Sequence, residues 1–157
     1  MRLSTRARYG VRAMFDLAYF GQGEPIALKT IAERQGISDN YLEQLIAPLR
    51  KAGLVNSVRG AQGGYTLGHP PEDISVGDIL RVLEGPTLPV ECLIEEGEEQ
   101  GEHCANADNC ITRRIWSALR DSIDRVLDSM TLADLCEEAD NPTCCRLAGS
   151  GKGENER

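Results

Sequence analysis

Three features of the 157-residue chain predict its fold class: two short helices around a tight glycine-containing turn, a glycine-rich hairpin directly after them, and a later long helix with apolar residues three or four apart. Together they predict a mainly α fold with a small β-wing, a winged helix-turn-helix domain followed by a long dimerisation helix. The expected divisions are residues 1–84 for the winged domain and 85–109 for a cysteine-containing sensor loop. Residues 110–138 would hold the dimerisation helix and the turn after it, and 139–157 a flexible tail.

The first helix is expected from about Thr5 to Phe20, capped by Ser4 and ended by Gly21. Gly10, Ala13, Leu17 and Ala18 form its buried stripe, while Arg2, Arg6, Arg8 and Arg12 make its start basic. Arginines there oppose the helix dipole. A phosphate backbone lying nearby would offset that cost; a solvated charged face is the plainer account.

The second helix covers about Lys29 to Gln35 and stops at Gly36, a residue at ease in the left-handed geometry that ends helices. Ser38 caps the third, with Ile37 and Leu42 spaced as a hydrophobic staple. Leu42, Leu45, Ile46 and Leu49 make its apolar stripe. Its other face carries Asn40, Glu43 and Gln44, whose amides and carboxylate match the donor and acceptor pattern of base edges in a major groove. Pro48 removes one backbone hydrogen bond and is expected to bend this helix beyond those residues. Leu54 to Val58 then reads as a strand, Arg59 to Gly64 (RGAQGG) as a turn, and Tyr65 to Leu67 as the return strand. An arginine at the base of such a wing is placed to enter a minor groove. Three ordinary amphipathic elements would be the alternative, but cap, staple, polar face and Arg-bearing wing occur in order and without slack. The DNA-contacting set is therefore Ser38, Asn40, Tyr41, Glu43, Gln44, Arg59 and Gly60.

His69-Pro70-Pro71 is a rigid connection to a fourth helix capped by Ser75, with Ile74 and Ile79 as staple and Val76, Ile79, Leu80 and Leu83 as core face. Gly85-Pro86 stops it. Periodicity then disappears to Asn109, where Glu95, Glu96, Glu98, Glu99 and Glu102 crowd a solvated loop. From Ile111 to Met130 a long helix carries Ile111, Ile115, Leu119, Ile123, Val126 and Met130 as a seam near heptad spacing. With two Phe and one Trp in the chain, little core remains to cover that seam, so pairing with the same helix of a second subunit is preferred. Thr131 to Glu138 adds a helical turn or two, and the Gly-rich polar end reads as disordered.

Charge supports this division. The net charge is −8, but residues 1–69 carry nine Lys/Arg against five Asp/Glu, and the remainder eight against twenty. The basic half is the winged half, which suits a phosphate-facing surface. No apolar run is long enough for a membrane, and MRLSTRARYG lacks a signal-peptide core. The expected place is the cytoplasm, where six cysteines point to metal or redox chemistry rather than structural disulfides. RGAQGG lies in a hairpin and lacks the strand–turn–helix context of a phosphate loop, and no acid/base pair stands out. A binding protein is expected, not an enzyme; an interaction adaptor that does not touch DNA is the rival from another class.

Cys92, Cys104 and Cys110 bracket the acidic loop and end at the start of the long helix, whose N-terminus favours a thiolate at Cys110. The spacing alone fits an iron–sulfur cluster, a zinc site using His103, or three unrelated thiols. Cys136, Cys144 and Cys145 lie in the tail.

MRLSTRARYG, ISDNYLEQL, LRKAGLVNSVRGAQGGY and SVGDILRVLEG, followed by three cysteines and a long helix, resemble the Rrf-type winged helix-turn-helix transcription regulators over residues 1–135, and especially their iron–sulfur cluster regulator branch. The resemblance implies a homodimer joined by the long helix that binds a double-stranded DNA operator. By position it makes Asn40, Glu43 and Gln44 base readers and Arg59 the minor-groove residue. In the sensing branch it implies a cluster held by Cys92, Cys104 and Cys110, with 2Fe–2S favoured over 4Fe–4S. Two departures bear on the ligands. Eleven residues separate Cys92 from Cys104, about twice the branch's spacing, and Arg113 stands where that pattern has its histidine ligand. Guanidinium offers iron no lone pair, which leaves His103, a carboxylate such as Asp108, a partner-subunit residue or an exogenous group for the fourth position. The same fold sensing zinc, thiol oxidation or a partner enzyme is the alternative.

Overall fold

The computed structural model describes residues 3–87, 89–90, 93 and 109–140. Cys92, Cys104, His103, Asp108, the acidic run and residues 141–157 lie outside that set. The described chain runs α1 (Thr5–Gly21), α2 (Leu28–Gln35), α3 (Asp39–Lys51), β1 (Val55–Val58), β2 (Gly64–Leu67), a short 3-10 turn (Pro71–Asp73), α4 (Val76–Glu84), α5 (Ile111–Ser129) and α6 (Leu132–Asp140).

Local chemistry sets these boundaries. Ser4, Ser38 and Ser75 each accept a hydrogen bond from the backbone N–H three residues on, giving α1, α3 and α4 their caps. Asp78 accepts the Ser75 backbone N–H in return, completing a capping box. Gly36, at φ 67°, ends α2 as expected. α1 ends differently: the left-handed residue is Gln22 at φ 47°, not Gly21. Gly21 is a helical residue packed against Ile26, where an added Cβ would come to 3.4 Å from the Ile26 side chain. α3 continues through Pro48 to Lys51.

The core gathers at the meeting of α1 to α4. Met14, Leu17, Ile31, Leu42, Ile46, Leu49, Val55, Ile74 and Ile79 share one apolar cluster. Leu132 of α6 belongs to the same cluster and is fully buried, with Leu135 and Cys136 packed against it. This redraws an expected division, because α6 packs on α1 and the 3-10 turn rather than merely trailing the long helix. A short bridge explains how. The Val76 N–H donates to the Met130 carbonyl and the Leu132 N–H to that of Ile74, sewing the start of α6 to the start of α4. α6 also reaches Asp140, two residues into the stretch expected as tail.

α1 and α2 are joined by a buried ion pair. Asp16 is inaccessible to solvent and accepts from Arg34 Nε at 3.0 Å and Gln35 Nε2 at 2.9 Å. The Arg34 guanidinium lies 4.2 Å over the Phe20 ring, an arrangement suited to its flat, weakly hydrated cation.

β1 and β2 pair antiparallel, Val55 with Leu67 through Val58 with Gly64. Ile26 extends this ribbon by one bridge, its N–H donating to the Tyr65 carbonyl and its carbonyl accepting from the Tyr65 N–H. The bridge anchors the wing to the chain entering α2, and it demands a close approach: a Cβ on Gly64 would lie 2.3 Å from the Ile26 carbonyl oxygen. Backbone cannot step aside as a side-chain tip can. Gly64→Ala is expected to destabilise the protein by roughly 1–3 kcal/mol and to speed amide exchange at Tyr65. An unchanged exchange rate would mean that the bridge does not hold the wing.

Candidate nucleic-acid interface

α3 has one buried and one exposed face. Its stripe Leu42, Leu45, Ile46 and Leu49 is buried, so the 3.6-residue period turns Asn40, Glu43 and Gln44 outward, and all three are exposed. Ser38 and Tyr41 have local duties as well. Ser38 Oγ accepts the Tyr41 N–H at 3.2 Å. Tyr41 is half-buried and meets Tyr9 edge-to-face, ring centroids 6.1 Å apart. Arg12 sits 5.1 Å over the other partner in that pair, Tyr9, while its Nε donates to Gln35 Oε1 at 2.9 Å.

Tyr9 and Arg12 were not singled out as a pair from sequence, although they lie three apart on one helix face. Their contacts join α1 to Gln35 of α2 and to the N-terminal turn of α3, the turn that bears the exposed polar side chains. Arg59 and Gly60 are exposed in the turn between β1 and β2, with Gly60 at φ 116° and its carbonyl accepting from Gly63 N–H at 3.0 Å. The wing arginine is thus presented on a closed turn. The structure brings the two groups of residues onto one helix and one hairpin.

The long helix α5 buries none of its residues. Ile111, Ile115, Leu119 and Val126 are 80%, 59%, 44% and 57% exposed, an apolar seam facing away from the domain. Contact with α4 is made near its far end, where Arg81 pairs with Asp128 at 2.6 Å and with Asp78 at 3.1 Å. The fit is tight: a Cβ on Gly77 would lie 2.1 Å from Asp128 Oδ1.

At the opposite end Cys110 is the N-cap residue of α5. The hydroxyl of Thr112, 3.1 Å from its Sγ, together with the Arg113 and Thr112 backbone N–H groups, holds the Cys110 thiol below its ordinary pKa. A thiol so placed favours its thiolate form. Arg113, one turn on, offers a metal no lone pair. Among the described residues no three His, Cys, Asp or Glu side chains converge as a metal site; the other two cysteines lie outside them. Leu93, next to Cys92 in the chain, is buried. Among the described residues no helix is long and apolar enough to cross a membrane.

Known proteins share this arrangement. A family model described as Rrf2, iron-dependent transcriptional regulator, matches residues 3–138. Protein rrf2 of Nitratidesulfovibrio vulgaris is 47% identical over 139 residues, covering 88% of this chain and 89% of that protein. The transcriptional regulator CymR of Bacillus subtilis is 49% identical over 141 residues, covering 89% and 93%. Its structure, that of the global cysteine regulator of B. subtilis, superposes with a TM-score of 0.71 at 47% identity, covering 89% of this chain and 99% of that one. The structure of T. potens IscR superposes with a TM-score of 0.69 at 47% identity, covering 98% and 94%. These relatives are regulators rather than enzymes, and their winged architecture is the one described above. The chain belongs to the Rrf2 family of DNA-binding transcriptional regulators.

Proposed function

We propose that this chain is a homodimeric repressor that senses iron–sulfur cluster status and controls genes of cluster biogenesis or related iron and redox functions in the cytoplasm. The observation that carries the reading is Cys110 as an acidified thiol at the head of α5, the helix whose apolar seam is free and whose other end is clamped to α4. Cys92, Cys104 and Cys110 would hold one cluster per subunit, 2Fe–2S in preference to 4Fe–4S. The fourth ligand is a non-cysteine group, with His103 the first candidate. Thiolates bind iron more tightly than imidazole or carboxylate, so the bound cluster supplies a centre that is most labile at that position. α5 links this loop to the winged domain, and a change in its pose would alter the spacing of the two half-site readers.

On DNA, Asn40, Glu43 and Gln44 would meet base edges in the major groove, oriented by Ser38 and Tyr41. Arg59 and Gly60 would enter the adjacent minor groove. Glu43 accepts from cytosine N4 and is left desolvated against acceptor-only edges, so part of its role is rejection. In binding assays over operator variants, Glu43→Ala should relax discrimination by about 1–3 kcal/mol at one position. Arg59→Ala should weaken binding most where the minor groove is narrow. A uniform loss from both variants at every sequence would reduce them to phosphate contacts and remove the specificity argument.

The likeness to CymR, described as a cysteine regulator, favours one second reading. In it the same fold answers to thiol oxidation, zinc or a partner enzyme without a cluster. The metal content of anaerobically purified protein separates the two.

A further inference from the structure

A groove of about 620 Å³ lies between the end of α1, the 3-10 turn and α6, and none of the residues proposed to contact DNA lines it. α6 turns one stripe to it. Ala133, Cys136, Glu137 and Asp140 are spaced as neighbours on a single helix face, while Leu132 and Leu135 go to the core. Glu72 lines the wall made by the 3-10 turn. Phe20, which is 52% exposed, and the methyl of Ala133 supply an apolar surface. Cys136 adds to that surface as a neutral thiol, pushed up by burial and then by the Asp140 charge.

The charge of the groove is one-sided. Among the described residues that line it none is basic, and the last turn of α1 carries no cation to offset the negative end of its dipole. Asp140 accepts a hydrogen bond from the Tyr19 hydroxyl at 2.7 Å, which fixes its carboxylate at the rim. Yet among the described residues no three Asp, Glu, His or Cys side chains converge closely enough to hold a metal ion. A point charge is therefore poorly matched. Separated carboxylates beside an exposed aromatic ring suit a ligand whose cationic groups are also separated, with methylenes between them.

We propose that this groove binds a linear aliphatic diamine, with one ammonium beside Glu72, the methylenes over Phe20 and Ala133, and the other ammonium at Glu137 and Asp140. An ammonium has donors and no acceptor, so carboxylates on two walls suit both ends of the ligand. The ring of Phe20 also carries the Arg34 guanidinium, 4.2 Å away, and Arg34 in turn holds the buried Asp16. An occupant on that ring therefore bears on the joint between α1 and α2, and α2 leads directly into α3. The diamine is thereby an effector of operator binding. Its site rests on the family's DNA binding and is independent of any cluster at the loop cysteines.

The test uses the full chain and cadaverine, the five-carbon diamine, as probe. Calorimetric titration should show one site per chain. Pentylamine, which lacks the second ammonium, should bind severalfold more weakly, and δ-aminovalerate, which reverses the charge at that end, more weakly still. Glu137→Gln should weaken cadaverine binding severalfold, whereas Glu33→Gln, at an exposed carboxylate of α2 outside the groove, should not. At fixed ionic strength, cadaverine should shift the operator affinity of the wild type more than that of Glu137→Gln. No binding, equal affinity for the three compounds, or equal losses in the two variants would overturn the proposal, the last two reducing it to general attraction by a chain of net charge −8. Equal operator shifts in wild type and Glu137→Gln would mean competition for DNA phosphates and would overturn the effector role.

Discussion

Arg34→Met is expected to lower stability by about 3 kcal/mol, since removing one partner of a buried pair leaves an uncompensated charge. Asp16 is the group left behind: its carboxylate is fully buried and would keep only the Gln35 amide. The usual cost of about 3–5 kcal/mol is taken at its lower end because the Arg34 side chain is 32% exposed and water can reach the vacated side. For a chain of this size, about 3 kcal/mol corresponds to roughly 6–12 °C in Tm. The double variant Asp16→Leu with Arg34→Met should lose less than the single one, because no orphaned charge remains. Thermal melts of the three proteins check this; a double variant less stable than Arg34→Met would assign the loss to packing on Phe20 instead.

Leu119→Glu should dissociate the proposed dimer and with it operator binding. Leu119 lies in the exposed seam with Ile115 and Val126. Around a two-fold axis each substitution acts twice. Leu119 is 44% exposed, so pairing can bury only that part, roughly 0.7–1.3 kcal/mol per copy and about 1.3–2.6 kcal/mol for both, before any cost of burying a carboxylate. That is roughly tenfold to a hundredfold in the dimer dissociation constant, with the buried carboxylates adding to it. Sedimentation at micromolar protein is the measurement. A variant that stays dimeric places the interface elsewhere, and the seam then needs another occupant.

Much of this molecule could be read from the chain because its signals are local. Ser4, Ser38 and Ser75 cap what they were expected to cap, and Leu42, Leu45, Ile46 and Leu49 are buried together. Each such signal depends on residues three or four apart, which one sequence displays. The features not foreseen depend on distant partners. Asp16 reads as an ordinary charged helix residue until Arg34, on another helix, is set against it. Gly21 resembles a helix terminator, but it stays within α1 beside Ile26, and Gln22 takes the left-handed turn. The return of α6 to α1 rests on Leu132 filling a core built by α1 to α4 and β1, and a nine-residue helix carries no mark of that destination. The candidate site divides in the same way. The exposed faces of α3 and the wing follow from periodicity. The link through Tyr9 and Arg12 does not, since it joins α1 to α2 and α3 across the fold. The place of Cys110 at the N-terminus of the long helix was legible in the chain. The cluster and its ligand set came from the resemblance alone, and Arg113 marks where that pattern and this chain part.

The most direct test of the sensing account is the iron and acid-labile sulfide content of anaerobically reconstituted protein, read beside its absorption spectrum and its operator affinity. The account predicts one cluster per subunit in the wild type. Alanine at Cys92, Cys104 or Cys110 should remove the chromophore and change operator affinity while the dimer persists, whereas alanine at Cys136, Cys144 or Cys145 should leave the chromophore unchanged. Wild-type protein that takes up zinc but no iron and sulfide would contradict it.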